Sequence, residues 1–340
     1  MEKKTHYGIL PEGESPFESF PAPFKMVYDY TKKYSNVADV KEGKGITFAV
    51  KAVIFLIGLL TWNAAYAFGA YLGRLFYLFR LRKSIAIRNL DIAYGDKKTQ
   101  EEKEAIYKAS LITFGRVVVN YLRLPFQGED FWRDNITITN EDLLQKAMNR
   151  KKGLLMLSGH IGTWDLAAGK LGMAGYPIAV VGKQAGVPAI DKIVIDTRIS
   201  MNLGSIGTKN AMRRIFAGFK QGEIIAMALD QNLQQRRGMF INWFGTPASS
   251  VRSASYVARE TDVPVLCGTM FQRGPKTFEV MITEELTWQS HSEDPEDELT
   301  YNAQLMSDSV EAIIRDNPGE WFWIHRRWKN QPPGMPDLYM

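Results

Sequence analysis

The chain has 340 residues, and its 42 Lys+Arg against 37 Asp+Glu give a formal net charge of +5. A hydrophobic content of 45% excludes a disordered or fibrous protein and is enough for a substantial core. The mild basic excess suits an anionic partner. The basic residues cluster after an apolar run instead of along a groove with interleaved aromatic residues, which disfavours a nucleic-acid binder.

The N-terminal part of the sequence predicts an arm followed by a membrane helix. Residues 1–45 combine clustered proline and glycine with balanced charge and indicate an irregular arm. Residues 52–73 carry no charge and, at about 1.5 Å per residue, could reach across a hydrocarbon core of roughly 30 Å. We therefore predict a membrane-anchoring helix over residues 46–80, with a buried helix, an interfacial helix or a re-entrant helix as alternatives. The basic residues that would hold it at an anionic leaflet are Arg74, Arg80, Arg82, Lys83 and Arg88.

Residues 81–340 predict one α/β domain. Residues 97–124 alternate charged and apolar positions at helical spacing and predict two helices. Short apolar runs then alternate with helical stretches, which indicates a largely parallel central sheet flanked by helices. A last amphipathic helix is predicted over residues 297–318. The predicted strands lie at residues 153–159, 176–183, 223–230, 264–273 and 276–283.

The stretch SGHIGTWD, residues 158–165, predicts a catalytic base. His160 follows a predicted strand and Asp165 falls in the first turn of the next helix, and open α/β sheets place their sites at the carboxyl ends of strands. A carboxylate that turns back to the imidazole would fix its tautomer and leave Nε2 as a general base. Because no G-x-S-x-G elbow occurs, the base would activate a hydroxyl of the substrate. A satisfied local hydrogen bond or a helix cap is the alternative for this pair.

Metal chemistry and a prosthetic group are not predicted. Neither H-E-x-x-H nor C-x-x-C occurs in the sequence. The histidines His6, His291 and His325 have no ligand spacing with His160. The single cysteine, Cys267, lies in an apolar run and is expected to be a buried thiol in a reducing compartment.

Six ordered blocks resemble one protein family over residues 50–330. The H-x-x-x-x-D pattern from His160 to Asp165 resembles the signature of the glycerolipid and lysophospholipid acyltransferase superfamily. The surrounding blocks are similar to its lipid A biosynthesis branch of late, lauroyl or myristoyl, acyltransferases. In chain order the blocks are RKSIAIRNLDIAYGD, SGHIGTWDLA, IDTRISMNLGSIG, FKQGEIIAMALDQN, GMFINWFGTPASSVRSASYVARETDVPVLCGTMFQR and PGEWFWIHRRWKNQP.

The resemblance implies a glycerolipid acyltransferase-like fold and O-acyl transfer from an acyl carrier protein or acyl-CoA thioester. The acceptor would be a hydroxyl of a membrane glycolipid, with a lipid A precursor favoured, at the cytoplasmic face of the bacterial inner membrane. His160 would be the base, Asp165 its orienting partner, and Arg198 a contact for a phosphate or for oxyanion charge. Asp230 matches a second functional carboxylate of the family. For Arg198, the alternative is a position on a solvated helix face without a functional role. Further candidates for headgroup or donor phosphate contacts are Lys183, Gln184, Arg252 and Arg273.

Two departures from the lipid A branch leave the acceptor open. Asp165 stands where that branch has glutamate, and Val-Gly-Lys at residues 181–183 replaces tyrosine-arginine-proline. A lysophospholipid or another phosphoglycolipid is therefore an alternative acceptor. A thioester or lipid ester hydrolase that uses the same pair, and a membrane-tethered binding protein without turnover, are the alternatives from other functional classes.

Overall fold

The computed structural model describes residues 52–183, 186–208, 211–234 and 238–340, and the predicted arm over residues 1–45 lies outside them. Its N-terminal part is helical over residues 52–58 and in three longer helices. These are α1 (Trp62–Leu78), α2 (Lys83–Tyr94) and α3 (Gln100–Arg123), with a 3-10 turn at Gly95–Lys97 and another at Leu124–Phe126.

The predicted N-terminal membrane-spanning helix is wrong. Within the ranges that the structure describes, no helix is both long enough and apolar enough to cross a membrane. The apolar run is divided at Thr61, whose hydroxyl accepts a hydrogen bond from the Ala64 N–H at 3.3 Å and caps α1. Such a cap satisfies one of the N–H groups that a helix start leaves without a partner.

Helix α1 contains the second half of the apolar run, and one of its sides packs against α3. A Cβ added to Gly115 of α3 would lie 2.3 Å from the Gly69 oxygen and 2.6 Å from the Gly73 nitrogen, so the two backbones touch. The Arg116 guanidinium stacks over the Tyr66 ring at 3.6 Å. The small residues of the run therefore permit close helix packing within the protein.

Helix α3 is one continuous helix where the sequence predicted two. It begins with a capping box, in which Thr99 and Glu102 exchange side-chain to backbone hydrogen bonds. The T-x-x-E pattern that makes this box is visible in the sequence. One long helix forms because buried residues recur over nearly its whole length, from Lys103 to Arg123.

The central sheet has seven strands, which are β1 (Ile136–Thr139), β2 (Leu154–Ser158), β3 (Ile178–Gly182), β4 (Leu203–Gly207), β5 (Ile224–Ala228), β8 (Val265–Gln272) and β9 (Phe278–Ile282). Their order in the sheet is β1-β9-β8-β2-β5-β3-β4. Every neighbouring pair is parallel except β8 and β9. The predicted fold class is therefore corrected to an α/β fold with a mixed, mostly parallel sheet and no spanning helix in the described residues.

Helices cover both faces of the sheet. Side chains alternate along each strand, so Leu155 and Leu157 of β2 enter one apolar core while Leu154 and Met156 enter the other. The helices are α4 (Glu129–Asp134), α5 (Glu141–Met148), α6 (Trp164–Met173), α7 (Pro188–Ser200), α8 (Ala211–Lys220), α9 (Ser253–Thr261) and α10 (Pro295–Asp316).

A hairpin that the sequence did not predict joins the sheet to the C-terminal segment. Its strands are β6 (Gly238–Trp243) and β7 (Thr246–Val251). The fully buried Arg327 donates to the Ser249 oxygen at 2.7 Å and to the Ser250 hydroxyl. The segment after α10, which begins with a 3-10 turn at Pro318–Glu320, is thereby fixed beside the sheet.

Candidate active site

The pairing of β2 with β5 brings two distant residues together. Ser158 and Ala228 are register partners at the carboxyl ends of these parallel strands. His160 and Asp230 each lie two residues further on, and between them the Leu229 N–H donates to the Ser158 oxygen at 2.9 Å. The two side chains consequently meet at the sheet edge where open α/β folds place their ligands.

Asp230 is the carboxylate that holds His160. Its Oδ1 lies 2.9 Å from His160 Nδ1, and its Oδ2 accepts from the His160 backbone N–H and from Trp321 Nε1, each at 2.8 Å. The residue is only 2% exposed. Burial by itself raises the pKa of the carboxyl, but these three donors hold that pKa well below its usual range.

His160 keeps its second ring nitrogen on the open side of the site. The ring packs edge-to-face on Trp164 with centroids 4.9 Å apart, and its side chain is 24% exposed. Because Nδ1 is bonded to Asp230, Nε2 is the nitrogen left to accept a proton, and the Gln231 amide lies 3.0 Å from it. Burial lowers the pKa of His160, but the Asp230 carboxylate raises it by more, so the net shift is upward.

The loop that carries His160 is fixed from two sides. Gly162 has φ +55°, and a Cβ there would lie 2.2 Å from the Met270 oxygen, so only glycine fits. Its N–H donates to the Glu320 oxygen at 2.9 Å, and the Thr163 N–H donates to the Met270 oxygen at 2.7 Å. Strand β8 and the segment after α10 therefore set the position of the imidazole.

Asp165 is paired with Arg198 and not with His160. It lies in the first turn of α6, and its Oδ1 is 2.9 Å from Nη2 of Arg198 in the last turn of α7. Both side chains are largely buried, so Arg198 does not lie on a solvated helix face. Burial lowers the pKa of Arg198 and the Asp165 carboxylate raises it by more. The Asp165 charge also contributes to the raised pKa of His160.

A comparison with known protein families shows which family the chain belongs to. The family model of bacterial lipid A biosynthesis acyltransferases matches residues 39–330. The chain belongs to this family. It is an acyltransferase, and the family that the sequence blocks predicted is confirmed.

Three relatives describe the range of the match. The chain is 23% identical over 303 residues to the lipid A biosynthesis lauroyltransferase of Escherichia coli (strain K12), which covers 86% of this chain and 94% of that protein. It is 24% identical over 261 residues to the lipid A biosynthesis palmitoleoyltransferase of the same strain, covering 76% and 82%. A lipid A biosynthesis acyltransferase of Haemophilus influenzae is 22% identical over 262 residues, covering 76% and 81%.

The remaining predicted substrate contacts of this acyltransferase are scattered. Lys183 is exposed directly after β3, and Arg273 follows β8, so both lie at the same sheet edge as His160. Arg273 is ion-paired with Glu279 at 2.8 Å. Gln184 lies outside the described residues.

Arg252 follows β7 directly. It is ion-paired with Glu296 at the start of α10, and its predicted contact with the substrate stays a prediction.

Three residues of the site were not predicted from the sequence. Trp321 donates to Asp230 from 91 residues away, and no local pattern indicates that contact. Gln231 directly follows Asp230 and could have been found by its position. His325 accepts from the Asn232 N–H through Nε2 at 3.0 Å, and burial lowers its pKa to about 4, so it is a neutral support for the loop after Asp230.

Proposed function

We propose that this acyltransferase moves a fatty acyl chain from an acyl thioester to a hydroxyl of a lipid A precursor, with His160 as the general base. The observation that carries the proposal is the bond between His160 Nδ1 and Asp230, which leaves Nε2 on the open side of the sheet edge. The relatives are named for lauroyl and palmitoleoyl transfer in lipid A biosynthesis, which supports the choice of acceptor.

The proposed reaction is direct transfer without an acyl-enzyme intermediate. Nε2 of His160 takes the proton of the acceptor hydroxyl while its oxygen attacks the thioester carbonyl. The tetrahedral intermediate then expels the thiolate, which takes the proton back from the imidazolium, and an ester and a free thiol result. Asp230 stabilises the imidazolium between these steps, as a buried carboxylate does in hydrolytic triads. The acceptor hydroxyl takes the place beside Nε2 that the Gln231 amide occupies in this structure.

Asp165 and Arg198 act on the base indirectly in this proposal. Their ion pair joins the start of α6 to the end of α7, and Trp164 at that start packs on the His160 ring. Asp165 also adds a negative charge that favours the imidazolium. The guanidinium face of Arg198 that Asp165 does not use is the proposed contact for a substrate oxyanion or phosphate.

The proposed donor is acyl carrier protein or acyl-CoA. Both deliver the acyl group as a thioester on a phosphorylated arm, and the net charge of +5 suits such an anionic partner. Lys183 and Arg273 lie at the sheet edge of His160 and are the proposed cations for donor or headgroup phosphates.

We propose association with the cytoplasmic surface of the bacterial inner membrane through an interfacial face. The helical segment over residues 52–58 and α1 expose an apolar stripe that other described elements leave open. Arg80 and Arg82 are exposed next to its end and suit anionic headgroups. The exposed apolar residues of the stripe are Val53, Phe55, Leu56, Leu59, Phe68, Tyr71, Leu78 and Phe79.

The test is acyl transfer by the purified full-length protein. Acyl-carrier-protein thioester and acyl-CoA are each offered with a lipid A precursor in detergent micelles. Thiol release and the mass of the lipid product are then measured. The wild type should add one acyl chain, and His160→Ala should lower the rate on the order of 10³-fold or more. His291→Ala is the matched control, because this imidazole is exposed and stacks on the Tyr301 ring, and its loss should leave the rate unchanged.

Other outcomes separate the alternatives. Thiol release at the same rate without acceptor, with free fatty acid as the product, would make the protein a hydrolase. Transfer to a lysophospholipid but not to the lipid A precursor would overturn the proposed acceptor. An unchanged rate in His160→Ala would remove His160 from the chemistry.

A further inference from the structure

A second carboxyl group lies beside His160 and has no part in the proposed reaction. Glu320 ends the 3-10 turn after α10 and is half-buried. Glu320 lines the same small pocket as His160. Aromatic and aliphatic groups from α3, from α6 and from the segment after α10 form the apolar walls of this pocket: Phe114, Val117, Trp164 and Phe322.

The surroundings of Glu320 do not neutralise its charge. The Thr113 hydroxyl of α3 is close enough to lower the pKa of the Glu320 carboxyl. Two cations, Arg273 and Arg116, also lower this pKa, but Arg273 is ion-paired with Glu279 and Arg116 stacks on the Tyr66 ring. Burial raises the pKa of the Glu320 carboxyl, and the Thr113 hydroxyl and these two arginines only partly oppose the shift.

Binding of an acyl chain would not explain why a carboxyl group lies at this pocket. A hydrocarbon tail offers no hydrogen-bonding group, and a polar group buried against it costs free energy unless another partner is present. The pocket is otherwise apolar apart from the hydroxyls of Ser110 and Thr113. A carboxyl here fits a polar part of the substrate that reaches His160, which is the part of the acceptor next to its hydroxyl.

We propose that Glu320 hydrogen-bonds an oxygen of the acceptor beside the attacking hydroxyl and so selects which hydroxyl reaches Nε2 of His160. This inference rests on the proposed acyl transfer. Glu320 and His160 share one pocket, and the Gly162 N–H donates to the Glu320 backbone oxygen at 2.9 Å. The backbone of Glu320 is therefore held next to the loop that carries His160.

The proposal predicts how the KM for the acceptor changes with pH. A protonated Glu320 donates to an acceptor oxygen, and an ionised one cannot. The charged and titratable groups that face it are Arg116 on α3, Arg273 after β8 and His160 on the loop after β2. The KM for the acceptor should therefore rise with pH in the wild type, while Glu320→Gln, which donates at every pH, should remove this rise.

The experiment compares Glu320→Gln with Glu320→Leu in the full-length protein. The acceptor is a lipid A precursor with several free hydroxyls, and tandem mass spectrometry locates the added acyl chain. Glu320→Leu should raise the acceptor KM about tenfold, as expected for one lost hydrogen bond, and should spread acylation over more than one hydroxyl. Glu320→Gln should keep the wild-type product, and the donor KM should stay constant in both variants.

Three results would overturn the inference. A raised donor KM would mean that Glu320 faces the thioester. An unchanged acceptor KM and product in Glu320→Leu would remove any role in selection. A fall in kcat that follows a loss of thermal stability, with one product retained, would make Glu320 structural. Absence of acyl transfer by the wild type would instead refute the proposed function, and this inference with it.

Discussion

His160 Nδ1 lies 2.9 Å from Asp230 Oδ1, although 70 residues separate the two in the chain. The contact exists because β2 and β5 are neighbours in register, and His160 and Asp230 follow these strands at the same offset. The carboxylate is held ionised by three donors, one of which is the backbone N–H of His160 itself. The fold therefore sets both the orientation of the imidazole and the charge that stabilises its protonated form.

Replacing Asp230 by asparagine tests this assignment. The amide removes the negative charge and offers an N–H to Nδ1, which favours the tautomer with a proton on Nε2. The rate should fall on the order of 10³ to 10⁴-fold. A general base works when neutral, so the wild-type rate should rise with pH through a His160 pKa above its ordinary 6.5. In Asp230→Asn burial dominates, and this acid limb should move to lower pH.

The pH–rate profile provides the control for that prediction. Asp262→Asn makes the same chemical change at an exposed carboxylate paired with Lys152, and it should alter neither the rate nor the acid limb. A slower Asp230→Asn enzyme whose acid limb has not moved would show that Asp230 does not set the pKa of His160.

The ion pair between Asp165 and Arg198 should behave as one unit in stability measurements. Asp165→Asn leaves the largely buried Arg198 charge without its partner, and Arg198→Gln does the reverse. Each should lower the free energy of unfolding by about 2–3 kcal/mol, and the double variant should lose less than the sum. Urea unfolding of the four proteins measures the coupling.

The exposed pair between Lys152 and Asp262 is the reference for that cycle, because solvent should reduce its coupling to about 0–1 kcal/mol. Strictly additive losses at Asp165 and Arg198 would contradict an energetic link between the two helices. A full loss of activity with unchanged stability in Asp165→Asn would instead point to direct contact between Asp165 and the substrate.

The sequence predicted where the candidate residues lie better than it predicted their partners. The strand before His160 is a continuous apolar run, as buried parallel strands are, so its position and the loop after it could be predicted. Asp165 was assigned to His160 because it is near in the chain. Which carboxylate reaches the imidazole depends on the order of strands in the sheet and on the competing Arg198, and neither is encoded locally.

Two segments differ from the sequence-based prediction for physical reasons: the hairpin of β6 and β7, and the apolar run at residues 52–73. The hairpin of β6 and β7 turns at Phe244 and Gly245, both with positive φ, and its strands mix polar and apolar residues, which conceals the strand pattern. The apolar run at residues 52–73 has the composition of a membrane helix. Its interruption at Thr61 is a helix cap, and its packing on Gly115 is a tertiary contact. Hydropathy reports neither feature.

Removing two leucines from the apolar stripe should weaken binding to lipid vesicles. Leu56 and Leu59 are 62% and 65% exposed, so changing both to glutamine should leave the unfolding temperature unchanged. Loss of their burial in the interface should lower vesicle affinity at least about tenfold. Co-sedimentation with anionic vesicles measures this, and Met335→Gln, another exposed apolar residue, is the control. Equal co-sedimentation of all three proteins would refute the interfacial face.

The contact between α1 and α3 should tolerate no added methyl group at Gly115. The Cβ of Gly115→Ala would lie 2.3 Å from the Gly69 oxygen, so the two helices must separate, at a cost of about 1–3 kcal/mol. Thermal unfolding should show a lower midpoint. Ala67→Val, on the exposed side of α1, should leave the midpoint nearly unchanged. An equal midpoint for Gly115→Ala and the wild type would contradict backbone contact between the helices.

Because α3 also lines the pocket of His160 through Phe114 and Val117, Gly115→Ala should lower acyl transfer as well, whereas Ala67→Val should not.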